Sequence, residues 1–178
     1  MDVGRSEIVP VLVFAGARGG EGKSLFFKGL VSAFGHEYVF CQPQKGNFPM
    51  LDLPGKKVAF LDDWRFDETV LSYAAQCLWY DGSALPIARP QNQPGMVGHM
   101  LYRGGAPIFA TTKLDDIDRL ARVGGDDPRT GCPRDANATM LLRRLKVYKF
   151  TAPLAKPEKS LPYCRRCFAQ LVLGQRGS

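Results

Sequence analysis

The chain has 178 residues, 45% of them hydrophobic, with a formal net charge of +7. That length suits one domain with a sizeable core and is short for two, and no apolar run approaches the roughly 20 residues that a membrane-crossing helix needs. The basic excess admits a polyanionic partner without requiring one. The five cysteines, Cys41, Cys77, Cys132, Cys164 and Cys167, are odd in number and follow no secretory leader, so they read as reduced thiols of a soluble intracellular protein.

In chain order, residues 8–15 (IVPVLVFA) read as a buried strand, followed by a glycine-rich turn and an apolar helix over 24–34 that stops at Gly35. Residues 38–41 suggest a short second strand. Residues 57–61 (KVAFL) form another buried strand, which ends in Asp62, Asp63 and Trp64, and Asp67 is expected to cap a helix running to about Trp79. The stretch 85–102, rich in Pro, Gly and Gln, suggests a hairpin. Residues 106–111 (APIFAT) and 145–150 (LKVYKF) read as further strands, with 124–133 a loop between them. Strands alternating with helices imply an α/β architecture, a central mostly parallel sheet flanked by helices with a projecting hairpin. Residues 1–150 are expected to form the domain and 151–178 a tail. Phe26, Phe27, Phe60, Trp79 and Phe109 fall in these elements and read as core.

The chemistry begins at Gly16-Ala-Arg-Gly-Gly-Glu-Gly-Lys-Ser24, between a buried strand and a helix. This is the setting of a phosphate-binding loop (P-loop). Gly16, Gly19, Gly20 and Gly22 would let the backbone approach a phosphate chain, and successive N–H groups with the helix N-terminus supply positive polarity. Lys23 would reach the β and γ phosphates of ATP and the Ser24 hydroxyl would ligate Mg²⁺. Five residues separate Gly16 from Gly22 where the standard pattern has four, and position 17 is alanine, so the loop is expected to bulge by one residue. A glycine-rich turn with a chance GKS is the plainer alternative. Such a loop needs a carboxylate at the end of a neighbouring strand; Asp62 would hold the metal, with Asp63 orienting or deprotonating the attacking water. Cys164 and Cys167, with two residues between them, make half a zinc site, but only Cys132 offers a third thiolate.

The order of these features resembles the superfamily 3 helicases, the replicative ATPases of small DNA viruses and related replicons such as parvovirus non-structural proteins and the geminivirus replication protein. VLVFAGARGGEGKS looks like the first motif of that family, KVAFLDDW like its second, GHMLYRGGAPIFATTK like a basic hairpin leading into its third, and LLRRLKVYKF like the segment bearing its arginine finger. The resemblance implies an AAA+-like P-loop NTPase that hydrolyses ATP and translocates as a homo-oligomeric ring, a hexamer, on single-stranded DNA, with RNA an option. Thr112 and Lys113 stand where the third motif ends, and Lys113 replaces the usual asparagine; a lysine contacts phosphate as a point charge and does not position water as an amide does. Arg144, six residues before Phe150, matches the finger, with Arg143 the close alternative. Arg89, His99 and Arg103 are the hairpin's basic candidates for phosphate contacts along a strand.

The resemblance also implies a host nucleus or cytoplasm as the compartment; as only seven residues precede the first expected strand, the chain reads either as an excised ATPase domain or as a divergent protein that works with a separate origin-binding or nicking domain. The competing expectation is a nucleotide-binding module with weak or no turnover, acting as a scaffolding, packaging or regulatory subunit. A small-molecule kinase fits less well, since 124–134 is sparse in the arginines of a kinase lid.

Overall fold

The computed structural model describes residues 11–17, 19, 21–41, 48–90, 99–104 and 106–151. Its centre is a five-stranded sheet of β1 (Val11–Gly16), β2 (Val39–Cys41), β3 (Val58–Leu61), β6 (Ile108–Lys113) and β7 (Leu145–Phe150). The order across the sheet is β2-β3-β6-β1-β7, and every pairing in it is parallel. The other two strands, β4 (Leu85–Ala88) and β5 (His99–Tyr102), pair antiparallel as the expected hairpin.

Alternation along β1 shows how the sequence divides the two faces. Val11, Val13 and Ala15 turn to one side, where they join Tyr73, Cys77 and Trp79 of α2 (Tyr73–Tyr80), Ile117 and Leu120 of α3 (Leu114–Gly124), and Ala138 and Leu141 of α4 (Ala136–Leu142). Leu12 and Phe14 turn to the other side and meet α1 (Lys23–Phe34), whose Phe27 is fully buried among Val39, Val58 and Phe109. Phe27 and Phe60 stack with centroids 3.7 Å apart. Of the aromatics expected in the core, Phe27, Trp79 and Phe109 are buried and Phe60 is partly so, while the side chain of Phe26 lies outside the description.

Several boundaries differ from expectation for identifiable reasons. A 3₁₀ turn, His36–Tyr38, precedes β2, so that strand is three residues long. Asp67 does not cap α2: its Oδ1 accepts from the Thr69 amide in a separate turn, and Ser72 caps the helix by accepting from Ala75 N at 3.2 Å. Residues 114–123, which carry no assigned element above, form α3 together with Gly124, the first residue of the expected loop. Its N-terminus bears Asp115 and Asp116, which suit the positive end of a helix dipole. Among the described residues no helix is long and apolar enough to cross a membrane.

Candidate functional site

Because the sheet is parallel, β1, β6 and β3 all end on the same edge, and the loops that follow them converge there. Such an edge is where open α/β sheets generally hold ligands. After β1, Gly22 precedes α1 as its N-cap, and its φ of 81° and that of Gly19, 85°, lie in the left-handed region that glycine tolerates. At Gly16 an added Cβ would meet the Lys23 ammonium and the Glu21 carboxylate, the far ends of two flexible side chains that lie over this glycine. Lys23 Nζ stands 2.7 Å from Glu21 Oε2, and Glu21 Oε1 accepts from Gly19 N at 3.0 Å. The loop therefore gathers an ammonium and a backbone donor around one carboxylate. Gly20 and Arg18 lie outside the described residues.

Across the crevice, Ser24 Oγ donates to Asp62 Oδ1 at 3.3 Å, a contact between residues 38 positions apart. Asp62 is fixed from below by Thr111 of β6, whose Oγ1 donates to the same Oδ1 at 2.6 Å and accepts from Asp63 N at 2.9 Å. Trp64 N closes the arrangement on Thr111 O at 2.8 Å. Asp63 takes φ 51°, unusual for a residue with a Cβ, and its side chain is exposed. The tight turn after β3 is thus clamped to β6 by three hydrogen bonds. One threonine side chain orients the carboxylate while its backbone orients the following loop.

β6 lies between β1 and β3, and its register with β1 sets Thr112 opposite Ala15 and Lys113 opposite Gly16. Lys113 is exposed at the start of the glycine loop, while Thr112 is 1% exposed and its hydroxyl finds no hydrogen-bond partner among the described residues. A trough of about 710 Å³ opens beside Ser24 and Asp62 and runs along α1 past Lys28 and Ser32 to His36, with Phe60 in its wall. The Ser24 hydroxyl and Asp62 carboxylate are hard oxygen donors near enough to share a small divalent cation. Mg²⁺ commonly takes one or two carboxylates and fills its remaining positions with phosphate and water. Among the described residues no group of three or more His, Cys, Asp or Glu side chains gathers for a metal ion.

The comparisons with known proteins speak to this fold. No protein-family model matches the sequence, and no curated protein matches it. Among solved structures the chain is similar to the A-form apo structure of the NrS-1 C-terminal region, with 17% identity and a TM-score of 0.51 over 90% of this chain and 34% of that one. A second A-form apo structure of that region, residues 305–718, matches with 16% identity and a TM-score of 0.50 over 91% of this chain and 33% of the other. The chain thus spans about a third of the structures it matches. Identity at this level carries the arrangement of strands and helices.

The remaining candidates lie apart from the crevice. The Arg144 guanidinium grips Asp81 through Nε and Nη2, both at 2.6 Å, and donates from Nη1 to Met140 O. The Asp81 hydrogen bonds push its pKa up from the ordinary arginine value. A guanidinium held by a fork at the C-terminus of α2 is committed within its own chain, whereas the neighbouring Arg143 is exposed. In the hairpin, Arg89 donates to Met100 Sδ on the opposite strand, and Arg103 and Leu101 are exposed. His99 contributes to the β5 backbone and its side chain is outside the description, as are 91–98 and the Cys164 and Cys167 pair. Cys132, the third thiolate of the zinc expectation, is exposed.

Sequence reasoning named Lys23, Ser24, Asp62, Asp63 and Lys113, and the fold brings them to one edge of the sheet. Thr111 and Glu21 were missed. Glu21 is the one acidic residue in the loop 16–24, and Thr111 immediately precedes the pair assigned to the third motif.

Proposed function

We propose that this chain is a P-loop ATPase domain that binds Mg-ATP in the crevice at the ends of β1, β6 and β3 and works in a ring of copies on single-stranded nucleic acid, as superfamily 3 helicases do. The observation that carries the reading is the convergence of Lys23 in a glycine loop with the Ser24–Asp62 contact, made by segments far apart in sequence. In this reading the amides of the loop and Lys23 hold the β and γ phosphates. Ser24 and Asp62 hold Mg²⁺, which would supply charge neutralisation on the phosphate oxygens. Asp63, on the turn that Thr111 clamps, directs the attacking water and takes its proton. Lys113 answers the γ-phosphate charge from the end of β6.

Because Arg144 is held by Asp81, the finger role in trans passes to the exposed Arg143, whose charge would meet the nucleotide of a neighbouring copy. Arg89, His99 and Arg103 would track a nucleic-acid backbone without reading sequence. An origin-binding or nicking partner domain belongs to the same proposal, as does a host nuclear or cytoplasmic compartment. A second reading, a nucleotide-binding module with weak turnover, draws on Lys113, which lacks the amide geometry that positions water.

Steady-state ATP hydrolysis with Mg²⁺, measured with and without single-stranded DNA and with Lys23→Ala as control, separates these readings. The motor reading expects a DNA-stimulated rate that vanishes in the control. It also expects Asp63→Asn to retain nucleotide and lose turnover, and Arg143→Ala to reduce the rate of the assembled protein alone. Binding without turnover at high protein concentration favours the module. Activity that survives Lys23→Ala would overturn both.

A further inference from the structure

The nest that would receive a phosphate already holds an anion belonging to the chain. Glu21 is 4% exposed, and its two carboxylate oxygens engage the Gly19 amide and the Lys23 ammonium. Those are the donor types a β or γ phosphate would use. Both side chains lie directly over Gly16, where an added Cβ would meet them. A carboxylate and a phosphate cannot share the nest, because two like charges within a few ångströms in a water-poor site exclude one another.

We infer that Glu21 is a built-in competitor for the phosphate site, an autoinhibitory contact that must swing out before nucleotide enters; this rests on the nucleotide-binding reading above. The competitor sits two residues from Lys23, so its effective concentration at the ammonium is high and closing the contact orders little extra chain. The means of release are local too. Glu21 stands between Gly20 and Gly22, and Gly19 and Gly22 both have positive φ, so the backbone can re-aim the side chain without the steric cost of a Cβ. The one-residue extension of the loop relative to the standard spacing supplies slack for that movement. Nucleotide then binds the open fraction only, and its apparent dissociation constant rises by the inverse of that fraction. Lys23 keeps an anionic partner in both states, first Glu21 and then phosphate, and is never left buried and unpaired.

The test is a fluorescence titration of the whole chain with a labelled ADP and Mg²⁺, run on wild type, Glu21→Gln and Glu21→Ala, with thermal melts of each in the absence and presence of nucleotide. Both variants are expected to bind about tenfold more tightly than wild type, the factor for a closed state populated about ten to one. Without nucleotide they should melt lower, because Lys23 loses its partner, and saturating nucleotide should remove that deficit. Equal or weaker binding by folded variants overturns the inference and leaves nucleotide binding standing, with Glu21 then a support for Lys23. Absence of binding by all three folded proteins removes the nucleotide reading and the competitor with it.

Discussion

Lys23 and Arg144 are both basic side chains paired with a carboxylate in a half-dry setting, yet the fold uses them in opposite ways. Lys23 meets Glu21, two residues away, through one contact in a loop of glycines. Arg144 meets Asp81, 63 residues away, through two parallel contacts and adds a third to the Met140 carbonyl. A single point-charge contact within a flexible loop can be exchanged for another anion at little structural cost. A bidentate fork that ties α2 to the turn between α4 and β7 is part of the framework. Sequence position alone made both residues candidates for phosphate chemistry, and the partner each finds separates them.

Lys23→Ala should weaken Mg-nucleotide binding about 100-fold, the loss of a charge-assisted contact, and should lower the melting temperature of the nucleotide-free chain as the Glu21 variants do, because the buried Glu21 carboxylate then keeps only the Gly19 amide; calorimetric titration paired with melts reads both. Arg144→Leu should act on stability alone. Stranding Asp81 is expected to cost about 2 kcal/mol in denaturant unfolding, less than for a fully buried pair because both side chains remain partly wet, while nucleotide affinity stays within about threefold. If Arg144→Leu instead left stability unchanged and lowered only the rate of an assembled oligomer, the contrast between the two residues would collapse and the finger would return to Arg144.

Thr111→Val sharpens the comparison from the opposite wall of the crevice. It removes the hydroxyl that orients Asp62 and receives the Asp63 amide. A loss of about tenfold in turnover is expected, the usual range for a residue that positions a metal ligand, with nucleotide affinity within about threefold. Thr111→Ser should restore most of the rate. Rescue by serine tells an oriented hydroxyl from mere packing.

The smallest effect is alkaline. Burial raises the pKa of the Cys77 thiol and the Tyr80 phenol above their ordinary values of 9.0 and 10.0. The unfolded chain then releases these protons first, so the stability present below about pH 9 is lost as pH rises through the window above it. For Tyr80 the melting temperature should fall by about 2–4 °C per pH unit above pH 10. Tyr80→Phe should flatten that slope. An unchanged slope would show that other groups govern it.

Much of the frame was legible because its signals are local and redundant. The buried runs of β1 and β3, the glycine loop and the helix after it sit where periodicity puts them, and the antiparallel hairpin is found at the residues that suggested it. The helix α3 was readable too: Ile117 and Leu120 are three apart on its buried face, with aspartates in the first turn. The density of charge around them hid that stripe. Other features were hidden in principle. The Thr111 clamp depends on β6 lying between β1 and β3, which is a fact of sheet order. The Asp81 fork joins residues 63 apart through the docking of two helices and leaves no trace in local pattern. Asp67 illustrates the competition among caps: it binds the Thr69 amide as an N-cap would, but the helix starts only at Tyr73, where Ser72 lies nearer the apolar run and takes the Ala75 amide.

In the proposed function one crevice binds a nucleoside triphosphate and its metal together. This is tested most directly by calorimetric titration of the chain with ATP in the presence of Mg²⁺ and again with the metal chelated, on wild type and Asp62→Ala. The account expects one site per chain, weakened by chelation in wild type and insensitive to chelation in Asp62→Ala, because that variant has already lost the metal's protein carboxylate. Binding that is equally strong with and without metal in both proteins, or no binding at all by the folded chain, would contradict it.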